Sequence, residues 1–264
     1  LLSDRETTGG IMSLRLDIGV VCDIGGADPQ KGNEDTYFIY LPAHAIGVID
    51  GMGGPGDGRL AADMVSTAFQ GLMHIEEPDE SILAAAVRDA NSRVLRANKT
   101  ARRKPGNRMG AVGTIAWIDV RTGTTLIAQV GDSRAYVHSD GSIEQKTVDQ
   151  TPLAGMNEAQ RMCHPHKHHI QYAFGLKEQL PADYYQISLT PGDTLLLCSD
   201  GLTDYVGSTT LIRILDMDVS AQKIAYELLK EALRCGTCDN VTAIVVKVLP
   251  DKSLAGAGQT LCPV

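Results

Sequence analysis

The stretch TIAWIDVRTGTTLIAQVGDSRAYVH, Thr114 to His138, decides the fold. Three apolar runs, Thr114 to Val120, Thr125 to Val130 and Ala135 to His138, are separated by Arg121-Thr122-Gly123 and Gly131-Asp132-Ser133. Neither turn can hold a crossover helix, so most of the pairing is expected to be antiparallel, with hairpins dominating. The same strand pattern recurs on both sides, at Leu16 to Ile24, Thr36 to Leu41, Ala45 to Ile49, Tyr185 to Leu189, Thr194 to Ser199 and Thr242 to Val248. Helical spacing runs over Arg59 to His74 and Glu80 to Thr100, the second with Ile82, Leu83, Ala86, Ala90, Val94 and Leu95 in periodic positions. A third helix is expected over Ser220 to Leu233, starting at an N-cap serine, carrying Ile224, Leu228 and Leu229 on one stripe and ending before Gly236. The expected class is α+β: two antiparallel β-sheets in a central sandwich flanked by helices, in α-β-β-α layers. One domain is expected over 14–249, with tails at 1–13 and 250–264 and Met12 a candidate native start.

A chain of 264 residues that is 43% hydrophobic can bury a large core. Its 24 basic and 32 acidic residues give a net charge of -8, which argues against a nucleic-acid partner gripped through a broad basic surface. No apolar run approaches the roughly 18 to 20 residues of a bilayer span, and Asp4, Arg5 and Glu6 interrupt the start where a signal core would lie. A soluble, cytoplasmic chain with no membrane partner is expected. The six cysteines are scattered, so free thiols are expected, with Cys235 and Cys238 read as a loop rather than a metal or redox motif.

Four acidic turns share one design, an apolar run meeting an Asp-Gly or Asp-polar step. They are Gly47-Val48-Ile49-Asp50-Gly51, Ala128-Gln129-Val130-Gly131-Asp132-Ser133, Leu197-Cys198-Ser199-Asp200-Gly201 and Cys238-Asp239-Asn240-Val241. Asn33-Glu34-Asp35 opens a strand instead. Any one of these is an ordinary turn. Turns at sheet ends gather in space, however, and carboxylates crowded into one cleft are costly unless cations neutralise them. Hard oxygen donors without a matching His/Cys set favour Mg²⁺ or Mn²⁺ over zinc. Two such ions sharing a ligand make a hydrolytic site in which water is the attacking group and no nucleophilic side chain is needed. The sequence accordingly has no G-x-S-x-G elbow, no P-loop and no Cys-x5-Arg loop.

The order Asn33-Glu34-Asp35, Asp50-Gly51-Met52-Gly53-Gly54, Gly131-Asp132-Ser133-Arg134, Ser199-Asp200-Gly201-Leu202-Thr203-Asp204 and Asp239-Asn240 resembles the metal-dependent protein phosphatases of the protein phosphatase 2C family, in their bacterial form. The resemblance spans Leu14 to Val248. It implies a β-sandwich flanked by helices, a binuclear Mn²⁺ or Mg²⁺ centre at one end, and hydrolysis of phosphoserine and phosphothreonine in proteins. It further implies Asp50 as the carboxylate bridging two ions, with the Gly51 carbonyl on one and Asp200 and Asp239 on the other. Glu34 and Asp35 both sit at positions that reach a metal, Asp35 being favoured, and Asp132 resembles the ligand of a weaker third ion, helped by Asp200 or Asp204. The substrates would be phosphoproteins of a cognate serine/threonine kinase, and the chain a monomer.

Departures from the family pattern fall on the phosphate side. Gln30 stands where many members have a phosphate-gripping arginine, with Lys31 beside it, a point charge lacking the bidentate fork. Pro55 replaces a common histidine, and Met52 excludes the histidine that some members use as a general acid. The segment at about 157–175 corresponds to a variable flap, here crowded with Cys163, His164, His166, Lys167, His168 and His169; a mobile, substrate-facing loop is expected, with His166 a substrate contact. Arg102-Arg103-Lys104 reads as a solvated helix terminus, and Trp117 as core. Two rival readings are a pseudophosphatase that holds phosphoproteins, weighed down by the intact aspartates, and a hydrolase of small phosphoesters, weighed down by the missing arginine.

Overall fold

A computed structural model describes residues 13–251, except Lys31, Pro55, Glu76, 153–155 and 157–169. Two five-stranded antiparallel sheets form the frame. The first takes β1 (Leu14–Asp23), β10 (Val241–Pro250), β9 (Thr194–Cys198), β6 (Arg134–Ser139) and β7 (Ser142–Gln145) in that order. The second takes β2 (Thr36–Tyr40), β3 (Ala45–Met52), β4 (Gly110–Ile118), β5 (Thr124–Val130) and β8 (Asp183–Ser188). Helices α1 (Asp57–Ala68) and α2 (Glu80–Thr100) cover the second sheet, while α3 (Asp200–Thr203), α4 (Ser208–Leu215) and α5 (Ala221–Arg234) cover the first.

Side-chain alternation sorts each strand between layers. In β3, Ile46 and Val48 point into the core between the sheets while Ala45 and Ile49 face α1 and α2. In β9, Leu195 and Leu197 face the opposite sheet and Leu196 and Cys198 the helices; in β10, Ile244, Val246 and Val248 face the sheet. Each of these rows turns polar at the same end. Continuing with period two, β3 reaches Asp50, the chain after β9 reaches Ser199, and the inward-facing row of β10 starts at Thr242. Asp50 pairs with Val112, Gly113 with Val130, and Cys198 with both Arg134 and Ala243, so these strand ends lie side by side.

The helix over 80–100 has its expected bounds, capped by Asp79, whose carboxylate accepts the Ile82 N–H at 3.0 Å. The other expectations shift. The third strand runs on to Met52 because Gly110 and Ala111 extend its ladder, which puts Asp50 and Gly51 inside a strand rather than in a turn. The first helix begins at Asp57 and gives way to a 3₁₀ turn at Phe69–His74. Strand β7 is short and polar and helix α4 is amphipathic over only 8 residues, so neither is among the elements expected from sequence. Trp117 is fully buried, its indole N–H donating to the Ala43 carbonyl at 3.0 Å. The basic terminus after α2 is not simply solvated: Arg103 makes a two-pronged ion pair with Asp57, the first residue of α1, each side chain only 24% exposed.

Candidate metal centre

The polar end of the sandwich gathers the acidic motifs. Asp50 comes from β3 and Asp132 from the turn after β5, Asp200 opens α3 just past β9, Asp239 lies in the loop between α5 and β10, and Asp35 is the residue before β2. The Thr36–Ile49 pair sets the register that, one step on, brings Asp35 beside Asp50. Asp35 is 1% exposed and Asp132 5% exposed.

Burial pushes Asp35 up to about 7, against the pull of the Ser199 hydroxyl and with the charges of Asp200 and Asp239 adding to the rise. Burial also holds Asp50 well above the usual carboxylate range, and the charges bearing most on it are Asp35, Asp200, Asp132 and Asp239. Asp132 is raised by burial, then by Asp200 and Asp149, with Arg134 opposing and Asp204 adding. Carboxylates that disfavour one another's ionisation in a dry site are the condition a divalent cation relieves. Among the described residues, no three Asp, Glu, His or Cys side chains close on one point as a full ligand shell would. Ions that keep several waters ask for only one or two carboxylates each, so an all-oxygen set of this kind fits Mg²⁺ or Mn²⁺.

Local chemistry explains how each carboxylate is held. Ser199 occupies the N-cap position of α3, yet makes no side-chain cap bond. Its Oγ donates instead to Asp35 Oδ2 at 2.8 Å and accepts the Thr242 N–H at 3.0 Å, joining β2, β9 and β10 through one hydroxyl. Asn240 clamps the other side: Nδ2 donates to the Ile24 carbonyl at 3.0 Å and Oδ1 accepts the Glu34 N–H at 2.8 Å. Asp239 Oδ1 accepts the Asn240 N–H at 2.8 Å.

Glu34 and Asp35 part company here. Glu34 Oε1 accepts the Gly58 N–H in the first turn of α1 at 3.1 Å, where the helix dipole favours an anion, while Asp35 joins the aspartate cluster. Gly51 is obligatory for close approach, since a Cβ there would stand 2.1 Å from the Gly58 carbonyl oxygen. The Asp132 turn needs Gly131 at φ +92, a backbone shape that side chains resist. Behind that turn Arg134 is locked to Asp149, Nε to Oδ1 at 3.0 Å and Nη2 to Oδ2 at 2.8 Å, both residues buried.

The sequence names the carboxylates that the fold gathers around Asp50 but gives no sign of most of what positions them: Ser199 as a tether, Asn240 as a clamp, the Arg134–Asp149 pair, and Arg59, whose Nη1 donates to the Asp35 carbonyl at 3.2 Å. Ser199, Arg134 and Asn240 stood inside the quoted motifs, but nothing in their spacing showed their partners. Gln30 is exposed, its N–H turned to Asp28 Oδ1 at 2.9 Å. Lys31, His166 and the rest of 157–169 lie outside the described residues. No helix among the described residues is long and apolar enough to cross a membrane.

Comparison with known proteins finds relatives of the same fold. A profile of the protein phosphatase 2C family matches residues 31–234. The chain is 32% identical over 231 residues to the serine/threonine protein phosphatase PstP of Mycobacterium tuberculosis, covering 83% of this chain and 43% of that protein. It is 29% identical to the serine/threonine phosphatase stp of Listeria welshimeri, covering 85% of this chain and 89% of that one. The chain therefore spans less than half the length of the mycobacterial relative. A crystal structure of the PstP catalytic domain with two manganese ions superposes with a TM-score of 0.78 at 30% identity, covering 90% of this chain and all of that one.

Proposed function

The chain belongs to the protein phosphatase 2C family, and from that premise we propose that it is a metal-dependent serine/threonine phosphoprotein phosphatase acting at the carboxylate end of the sandwich. One observation carries the reading: a group of aspartates, Asp35 and Asp132 buried and the rest half-buried, in which the charges bearing most on Asp50 are four other carboxylates. In this reading Asp50 would serve both of two divalent ions, the Gly51 carbonyl would hold one, Asp200 and Asp239 would hold the other, and Asp35 would complete the set. Asp132, with Asp200 or Asp204, would take a weaker third ion. Manganese is favoured over magnesium by the relative that carries two manganese ions. The chemistry such a pair supplies when bound is Lewis acidity, namely a water that ionises near neutral pH and positive charge against phosphoryl oxygens.

The chain's own residues prepare that chemistry. Ser199 keeps Asp35 oriented, Asn240 fixes the Asp239 loop against the segment bearing Glu34, and the apolar sandwich behind Asp50 excludes bulk water. No side chain of the chain is asked to form a covalent intermediate. Gln30, Lys31 and His166 are the proposed substrate contacts, and with no bidentate arginine among them small phosphoesters should bind weakly. The inferred substrates are phosphoserine and phosphothreonine proteins of a cognate kinase, handled by a monomeric domain over 14–249 in the cytoplasm, where free thiols such as Cys198, Cys235 and Cys238 persist. The test is Mn²⁺-dependent phosphate release from a phosphothreonine peptide by the parent and by Asp50→Asn. The reading expects a loss of at least 100-fold on substitution, on the order of one removed transition-state contact; equal rates would sink it.

A further inference from the structure

A chain with net charge -8 concentrates a third of its 24 basic residues between Arg88 and Arg108, eight against the single acidic Asp89. Helix α2 and the chain just past it carry them, and the exposed side of the helix forms a ridge. Some of this charge is already used: Arg93 pairs with Asp89, Lys99 with Glu178 and Arg103 with Asp57, while Arg108 donates to the Leu176 carbonyl. Arg96, Arg102 and Lys104 are exposed and make no ion pair among the described residues.

Two shallow grooves flank the ridge and meet at Arg96 and Thr100. One, of about 500 Å³, runs between α1 and α2 with Met64 and Ala97 in its wall; the other has Leu95, Lys99 and Glu178. The ridge also leads to the carboxylate cluster. Arg103 holds Asp57, whose N–H donates to the Gly54 carbonyl at 2.9 Å, and Gly58 packs against Gly51.

We propose that this ridge is a docking surface for an acidic segment flanking the phosphoserine or phosphothreonine of a protein substrate. Charge complementarity selects the occupant, because an anionic peptide gains from three exposed cations that make no ion pair among the described residues, while its apolar side chains find Met64, Ala97 and Leu95 beside them. The placement supplies what Gln30 withdraws: positive charge that attracts the substrate from beside the cluster rather than from within it. A nucleic acid or an anionic membrane would call for a broad basic face, whereas this one is a single helix on an acidic molecule. The inference rests on the phosphatase reading above.

The test compares the full chain with an Arg96→Gln, Arg102→Gln, Lys104→Gln triple variant and with Arg96→Glu alone. Substrates are a phosphothreonine peptide with Asp and Glu flanks, the same peptide with Ser and Gly flanks, and p-nitrophenyl phosphate. The triple variant should raise KM for the acidic peptide roughly five- to tenfold at low salt, leave the other two substrates unchanged, and flatten the salt dependence; Arg96→Glu should move the same way. Binding of the labelled acidic peptide in chelator, followed by fluorescence anisotropy, reads docking without catalysis. Absence of phosphate release from every substrate would therefore remove the phosphatase reading, while anisotropy still decides the ridge. Unchanged KM and unchanged anisotropy in both variants would overturn the proposal. So would equal affinity, lost in the triple variant, for duplex DNA or phosphatidylserine vesicles.

Discussion

Two acidic neighbours, Glu34 and Asp35, meet opposite fates within one peptide unit. Glu34 spends its carboxylate on the first turn of α1, and Asp35, pointing the other way, is buried among aspartates and pushed up to about 7. Sequence could not separate them, because alternation is defined only within a strand and β2 begins one residue later. The raised carboxyl has a sign. An acid whose folded-state value exceeds its unfolded value, near 4, holds its proton more tightly in the native protein, so its contribution to stability is present below about pH 4 and lost as pH rises through about 7. Metal-free protein should therefore lose melting temperature between pH 5 and 8, and Mn²⁺ should oppose the loss by replacing the proton. A melting curve in chelator that rises over this range would contradict the assignment. Ser199→Ala, which removes the tether on Asp35, should weaken Mn²⁺ binding about 10- to 100-fold with little change in the fold, measured by calorimetry.

At the scale of elements, the sequence was legible wherever one face of a strand or helix repeats. Helix α2 kept its expected bounds and β5 stayed within a residue of its own, because their apolar positions recur without interruption; the turn Gly131-Asp132-Ser133, by contrast, carries the chain from the second sheet to the first instead of closing a hairpin, since β6 pairs with β9 and β7. Boundaries moved where a partner strand, absent from any local window, extended the ladder, as Gly110–Val112 did for Asp50–Met52. Contacts between elements were illegible for the same reason. Arg103 looked like a helix-end charge, and its partner Asp57 lies 46 residues away. Arg134 stood in a recognised motif while Asp149, in the segment after β7, gave no signal. Removing one member of a buried ion pair leaves an uncompensated charge, so Asp149→Ala should destabilise by about 3–5 kcal/mol. Urea unfolding monitored by the buried Trp117 would measure it, and a loss under about 1 kcal/mol, typical of surface pairs, would show that Arg134 has other support.

For the molecule as a whole, the candidate site is where the hydrophobic rows of both sheets run out. Ile46-Val48-Asp50, Leu195-Leu197-Ser199 and Ile244-Thr242 are continuous inward-facing rows that change from apolar to polar at one end. The apolar part gives the frame its rigidity and the polar part its chemistry. Cooperative closure of this frame also sets thiol reactivity. Cys198 is fully buried and pushed up to about 12 by desolvation, whereas Cys235 and Cys238 are exposed. Iodoacetamide at pH 8 should label the exposed pair at once and Cys198 only on unfolding; early labelling of Cys198 would mean that the sheet opens locally.

The claim beneath all of this is that the aspartates at the end of the sandwich form a site for two divalent cations. Isothermal titration of the metal-free chain with Mn²⁺ tests it most directly. The account predicts about two tightly bound ions per chain and loss of both in Asp50→Asn, since that carboxylate is the one shared. Uptake of Mn²⁺ by the folded variant equal to that of the parent, or no uptake by the folded parent, would contradict it.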